Sequence, residues 1–469
     1  MKSKKSKILF VTYFYPPLGG AGLPGAQRSV KFVKYLKNYD LTVLTVKEKD
    51  YPTNAVLNFG KELPVNNEKI YRTTFKNVFD YVLIVRKQLH KLIGNVDPDQ
   101  SSDGNYAANE PIKSSQERHR SIWQRVKDYI YDLCNFPDYA SGWIIPAVIE
   151  GRRIAKEQKF DVILATGMPW SALVIAWILH RLSCAKLVVD FRDPWVGNPF
   201  DTSKGWLLDR IRGSLERRIV ADAALVSANT TVLKDEFITR YTGKVDTRKF
   251  MVLPNGFDPD DFNDLVDTEL QNSGAPIPQL LLAHAGYLYG RRDPALILEA
   301  IRYLEKAGMA SADSFRFVQI GNIHLEYDFH ERYRDLVKRG VVVDLGTFPF
   351  EECLNILKSS DVLLLIQPGT KSQVPSKLYD YLCLNRPILT MTPLDGALGD
   401  LIRENEFGDL FSPEDVPGIA TRLNELLREK QEKGGLWADY LLRDRFDIRH
   451  IVASLEQRMD EILIAPESA

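Results

Sequence analysis

Two stretches of the chain put positive charge beside glycine or serine where an apolar run gives way to a helical one. The first is 284–294, HAGYLYGRRDP, which carries Arg291 and Arg292. The second is 374–381, VPSKLYDY, with Ser376, Lys377 and Asp380 at a helix start. Guanidinium groups bind phosphate oxygens bidentately, and a helix N-terminus adds the positive end of a dipole. Together they suit a diphosphate. Gly286 and Tyr287, just past the first strand, should line that site. Asp380, about one turn beyond Lys377, is placed to accept hydrogen bonds from sugar hydroxyls. The plainer alternatives are a solvated arginine pair and a Lys-to-Asp surface pair at i, i+3.

A third stretch, 190–195 (DFRDPW), follows another apolar run. Two carboxylates, a guanidinium and an indole are costly to bury unless paired. Ligands of open α/β sheets bind at the carboxyl ends of strands. That position assigns Asp190, Arg192 and Asp193 to a cleft, with Trp195 packing a ligand or lid. An internal Asp–Arg clamp is the competing arrangement. Near the start, Gly20, Gly22 and Gly25 spell G-x-G-x-x-G, but residues 13–18, including Pro16 and Pro17, separate them from the first strand. This reads as a rigid loop, with Gly19 and Gly20 facing a ligand. Arg28, in the next helical turn, would reach a phosphate or carboxylate. The loop 254–258, PNGFD, reads as hinge-side closure of a first domain, with Asp258 as a cap.

These residues need strands to carry them. Apolar runs at 7–12, 41–46, 161–165, 185–190, 223–227 and 250–253 alternate with helical patterns at 27–36 and 170–182. The second half repeats the rhythm. Strands fall at 280–285, 315–321, 341–345, 362–366 and 387–391, with helices at 294–306, 349–359 and 376–384. Runs of Val, Ile and Leu without polar alternation are buried on both faces, and alternation with helices makes them parallel. The fold class is α/β, with two Rossmann-like doubly wound domains. The boundary is expected at 267–279, rich in turn residues. A polar stretch at 95–116 reads as an excursion from the first domain.

Composition excludes several classes. With 61 Lys+Arg against 62 Asp+Glu, no global basic field for nucleic acid exists. No apolar run approaches the ~20 residues of a membrane span. Four scattered cysteines give neither a zinc pattern nor a disulfide framework, so a reducing cytoplasm is expected. The basic, then apolar, start is read as a buried strand rather than a secretory leader, because the apolar part is short and runs into Pro16 and Pro17. Seven histidines avoid metal-ligand spacing, and no HExxH, GxSxG or P-loop occurs, so no metal or cofactor is expected.

Taken in order, the motifs resemble those of the bacterial family 4 glycosyltransferases of the GT-B fold, over about residues 7–427. The marks are Tyr15 to Gly20 with Arg28; Pro137, Asp138 and Trp143; 190–195; 254–258; 284–290; and 375–381 with Asn385 to Pro387. The resemblance implies an acceptor-side domain at 1–266 with an excursion at about 79–145. It implies a nucleotide-sugar domain at 267–445 and a helix at 446–469 crossing back to the first domain. It implies retaining transfer without a metal, in cell-surface polysaccharide synthesis. Arg291, Arg292 and Lys377 would neutralise the diphosphate, with Asp193 at the reacting centre. Gly19, Gly20, Gly286, Tyr287, Ser376 and Asp380 would hold the donor. Arg28, Asp190, Arg192 and Trp195 would face a glycan or lipid-linked acceptor. Basic amphipathic stretches at 79–93 and 121–136 suit either ordinary helix packing on the domain or peripheral contact with the inner face of a membrane. Two departures stand out: Ser372 where the family carries a glutamate, and Tyr287 where many members carry an arginine. They motivate a rival reading as a nucleotide-sugar-binding partner without turnover. A second rival, a nicotinamide-dinucleotide oxidoreductase on Gly20, Gly22 and Gly25, wants an acid at the end of the second strand. Only Glu48, slightly late, is offered.

Overall fold

The structure is a computed structural model, and it describes residues 5–18, 24–51, 63–75, 122–198, 201, 203–266 and 279–464. Among the described residues, fifteen strands fall into two large parallel sheets and one small one. The first sheet comprises β1 (Lys7–Val11), β2 (Asp40–Val46), β3 (Lys69–Thr73), β4 (Val162–Gly167), β5 (Lys186–Phe191), β6 (Leu225–Ala228) and β7 (Phe250–Val252). Their spatial order is β3-β2-β1-β4-β5-β6-β7. The second half contains β8 (Leu280–Ala285), β9 (Leu288–Tyr289), β10 (Phe315–Ile320), β11 (Ile323–His324), β12 (Val342–Asp344), β13 (Val362–Ile366), β14 (Ile388–Met391) and β15 (Asp409–Phe411). The second sheet runs β12-β10-β8-β13-β14-β15, and β9 pairs with β11. Both large sheets are doubly wound. Chain order reverses between β1 and β4 in one and between β8 and β13 in the other, which opens a crevice at each switch point.

Burial explains why these segments are strands. Every residue of β4, β8 and β13 is buried, as unbroken apolar runs between helical layers require. The helix Pro24–Tyr35 lays Val30, Phe32 and Val33 into the first core, with Leu36 just beyond its end. The last helix, Ile448–Ile464, puts Ile451, Val452, Leu455 and Met459 into that same core, packing on Pro24–Tyr35. Its entry is fixed by a bridge between Phe257 and Asp447. Gly256 meets Phe446 O and the Ile451 side chain there so closely that a Cβ would lie 2.5 and 2.6 Å from them. Asp258 accepts from the Asp260 amide as a helix cap and also takes hydrogen bonds from Lys34 and Tyr35. Of the expected excursion, residues 79–121 lie outside the described residues, as does nearly all of the expected linker. The helices Ile122–Cys134 and Ile144–Glu157 are described.

The carboxyl ends of the two sheets face one another. Thr230, after β6, donates its hydroxyl to Ser372 O at 2.7 Å while accepting the Leu233 amide as a helix N-cap. Asp193, after β5, accepts from Gln373 Nε2 at 2.7 Å. Both partners lie on the loop after β13. The cleft is therefore pinned where strand-end loops meet.

Candidate active site in the cleft

The second-domain wall begins at the end of β8. Gly286 adopts φ +117°, closed to side-chain-bearing residues. A Cβ there would lie 2.6 Å from Lys377 Nζ. Gly286 thus supplies both the turn and the space for the ammonium. Lys377 approaches His284 Nε2 at 3.3 Å, and His284 Nδ1 pairs with Gln319 at 2.8 Å. Gln319 also donates to Gly286 O and Gly321 O, which locks the loop. No carboxylate lies within 4 Å of Lys377 or Arg292 among the described residues. Burial, then the Arg292 charge, pulls the Lys377 ammonium down to about 7. Burial and the same cations hold His284 neutral, far below the usual histidine range. Arg292 lies over the Tyr289 ring at 4.9 Å, with its buried Nε unbonded. Arg291 is exposed and packs against Gly369. The wall is a set of cations lacking a counter-ion, which is the electrostatic requirement for a diphosphate.

Gly286→Ala tests this directly. The methyl must displace Lys377 and adopt a forbidden φ, a strain of about 1–3 kcal/mol. The expected outcome is a lowered melting temperature together with loss of nucleotide binding in the same calorimetric titration.

The first-domain wall differs from expectation at three residues. Arg28 and Asp190 are partners, not ligand groups. Arg28 Nε and Nη2 hold both Asp190 oxygens at 2.9 and 2.8 Å. The remaining guanidinium donors reach Leu253 O, Pro254 O and Asn255 Oδ1. Asp190 also accepts from Thr166 and Ser227. Every donor of Arg28 and every lone-pair site of Asp190 is filled. Trp195 is 1% exposed and stacks on Trp170 at 5.4 Å, inside the first core rather than in the cleft. An indole following a turn proline is as useful to packing as to a ligand, and packing prevailed.

Arg192 and Asp193 do reach the cleft side. Arg192 donates to Gly167 O and Met168 O. Asp193 bonds Gln373, and burial raises its carboxyl while Arg192 and Arg292 pull it down. Asp380 keeps other company than expected. It faces Lys31 at 3.9 Å across the domain seam, and burial pushes it up to about 7. Lys31 itself donates to Gly256 O, so Asp380 belongs to the seam behind Lys377. Ser376 is partly buried at the helix start and Tyr287 partly exposed beside Gly286. Gly19 and Gly20 lie outside the described residues. Sequence reasoning missed Gln319 and Gln373. Neither sits in a motif, and only the position of Gln373 just ahead of Pro375 hinted at a cleft.

Residues 118–256 match the model of the glycosyl transferase 4-like domain. Comparison with curated protein sequences gives no match. Solved structures match over the whole chain. Anabaena HepE in complex with UDP-glucose is 17% identical, with TM-score 0.56, covering 97% of this chain and 99% of that one. Sucrose-phosphate synthase from Thermosynechococcus elongatus is 14% identical, with TM-score 0.61, covering 98% and 100%. The lipopolysaccharide outer core galactosyltransferase WaaB is 11% identical, with TM-score 0.52, covering 97% and 99%. Two doubly wound sheets facing a cleft and a likeness along nearly the full length give the chain the two-domain GT-B fold of these structures, and residues 118–256 match the glycosyl transferase 4-like domain.

Proposed function

We propose that the protein transfers a sugar from a nucleoside-diphosphate sugar to a glycan or lipid-linked acceptor in cell-surface polysaccharide synthesis, with retention and without a metal. The observation that carries this reading is Lys377 over Gly286, within electrostatic reach of Arg292, with no carboxylate within 4 Å of either cation among the described residues. Positive side chains there neutralise a leaving diphosphate where charge develops. HepE, which shares the fold, was solved with UDP-glucose, and WaaB, of the same fold, is a lipopolysaccharide outer core galactosyltransferase. Among the described residues no helix is long and apolar enough to cross a membrane. Exposed Leu133, Ile145 and Ile149, beside exposed Arg152 and Lys156, support peripheral contact with an anionic cytoplasmic leaflet.

The test is a thermal-shift screen against UDP, GDP, ADP, CMP and dTDP, with NAD and NADP alongside. A ligand at 100 times its Kd adds about 2.7 kcal/mol of stability. One nucleoside diphosphate should stabilise, and its sugar conjugate should turn over with a membrane extract as acceptor. Stabilisation by NAD or NADP alone defeats the reading. Nucleotide binding with no turnover on any acceptor leaves a binding partner rather than an enzyme.

A further inference from the structure

Behind Lys377 the two domains meet through charged side chains. The helix Pro24–Tyr35 of the first domain turns Lys31 toward two carboxylates. Its ammonium stands 3.8 Å from Asp261 Oδ2 and 3.9 Å from Asp380 Oδ1. Asp261 lies in the short helix Pro259–Phe262, and Asp380 in the helix Lys377–Leu382 of the second domain. Both distances are beyond hydrogen-bond length. Lys31 donates instead to Gly256 O at 3.1 Å. Asp380 Oδ1 is buried and takes no hydrogen bond among the described residues. One ammonium thus faces two acids, and the acid from the second domain has its inward oxygen undonated.

The other charged groups at the seam are committed elsewhere. Lys34 is held by Asp258 and Asp260, and the Tyr35 phenol also donates to Asp258. Arg449 pairs with Asp447, and Arg443 donates to Leu382 O and Asn385 Oδ1. On the Asp380 helix, Lys377 lies against His284 and Gly286, and burial raises the Cys383 thiol so that it stays protonated. An ionised carboxylate enclosed without a donor is costly. A proton relieves that cost with the seam shut, and water relieves it with the seam open. Burial pushes the Asp380 carboxyl up to about 7 against the Lys31 charge, and Asp261 and Asp258 push the same way.

We infer that Asp380 makes this seam a proton-gated contact between the domains, closed when the carboxyl is protonated and opening to water when it is ionised. The sign follows from which state keeps the proton. In the closed seam the carboxyl keeps it up to about pH 7, and a hydrated one releases it near the ordinary 3.9. Closure therefore weakens as pH rises from about 4 to about 7, by up to tenfold per unit, and levels off above that. Opening also parts Asp193 from Gln373 and Thr230 from Ser372, so the same proton sets access to the cleft. Burial raises the Asp193 carboxyl as well, but Arg192, Gln373 and Arg292 pull it down. The Lys377 ammonium, at about 7, titrates at the upper edge of this window, and His284 stays neutral throughout it. Nothing in the device requires sugar transfer, so it stands or falls apart from the transferase reading.

The experiment is small-angle X-ray scattering of the full chain, free of nucleotide, in steps from about pH 5 to about pH 8, fitted as closed and open states. The open-to-closed ratio of the wild type should rise by up to tenfold per unit to about pH 7 and then stay constant. Asp380→Asn keeps the shape and removes the titration. It should remain closed over the whole range, with a melting curve showing that it is folded. Asp261→Asn removes a charge that raises Asp380, so its plateau should begin at a lower pH. A wild-type profile that does not change overturns the proposal. An Asp380→Asn profile that opens like the wild type also overturns it, by passing the response to another group such as Asp193. An Asp380→Asn chain open at every pH overturns it too, by making attraction between Lys31 and ionised Asp380 the closing force. If Asp380→Asn does not fold, Asp261→Asn decides: a plateau that moves down upholds the gate, and one that stays put removes Asp380 from it.

Discussion

Lys377→Ala is expected to weaken nucleoside-diphosphate binding by about two orders of magnitude, measured by calorimetry at pH 7. The figure follows from removing one partner of a desolvated charge pair, roughly 2–5 kcal/mol. The geometry makes the loss specific. Among the described residues Lys377 has no carboxylate within 4 Å to leave orphaned, and the polar side chain it approaches there is neutral His284. The variant should therefore fold with unchanged or improved stability while losing ligand. The wild-type affinity should also depend on pH in one direction. Burial and Arg292 place the ammonium near 7 in the free protein. A bound diphosphate opposes both causes and returns it toward the ordinary value of about 10.4. Binding then takes up a proton above pH 7, so affinity falls as pH rises, by up to tenfold per unit between about pH 7.5 and 9. The terminal phosphate, with a pKa near 6, is already ionised in that window. His284 stays neutral there, and Cys353 is pushed up to about 12. Asp380, one turn away, titrates near 7 as well. A Lys377→Ala profile that stays flat assigns the slope to the ammonium, and a slope that survives gives it to Asp380.

Much of this architecture was legible because the informative segments are buried on both sides. β8 and β13 begin and end where their apolar runs do, since nothing but a strand between two helical layers makes such a run. β3 and β15 were not legible. Both are edge strands of their sheets, and Lys-Ile-Tyr-Arg-Thr and Asp-Leu-Phe carry too little apolar sequence to announce themselves. The site divides along a similar line. Glycine or serine beside cation at 286–292 and 376–377 marked the wall where Lys377 lies over Gly286 and feels the charge of Arg292, because backbone freedom and positive charge have few other joint uses. The charges of 190–195 could not be sorted from sequence. Four adjacent polar and aromatic residues go to three destinations: Asp190 into a clamp, Arg192 and Asp193 to the cleft, Trp195 into the core. The alternation of a strand end sends neighbours to opposite faces. Which face holds a partner depends on Arg28, 162 residues earlier.

Arg28→Met should lower stability by about 3–5 kcal/mol and leave nucleotide affinity within a few-fold of wild type. Removing the guanidinium strands a fully buried carboxylate and three carbonyl or amide acceptors on the loop 253–255. Burial alone would raise the Asp190 carboxyl, but the Arg28 charge and three side-chain donors hold it below the usual range. Because its folded value is depressed, the stabilisation is complete above about pH 4 and is lost only as pH falls through that lower value. Thermal unfolding at pH 7 therefore reports the whole effect, as a drop of roughly 10 °C in the transition of the first domain. The double variant Arg28→Met, Asp190→Leu removes both charges and should recover most of the loss, since an apolar pair of similar volume replaces a buried ion pair at little net cost. A direct ligand role for Arg28 makes the opposite forecast: affinity falls steeply, stability holds, and Asp190→Leu restores nothing. The loop 253–255 also leads into Gly256 and the Phe257–Asp447 bridge where the last helix returns. Slackening the clamp should therefore loosen Ile448–Ile464, visible as faster amide exchange in that helix before any change at Lys377.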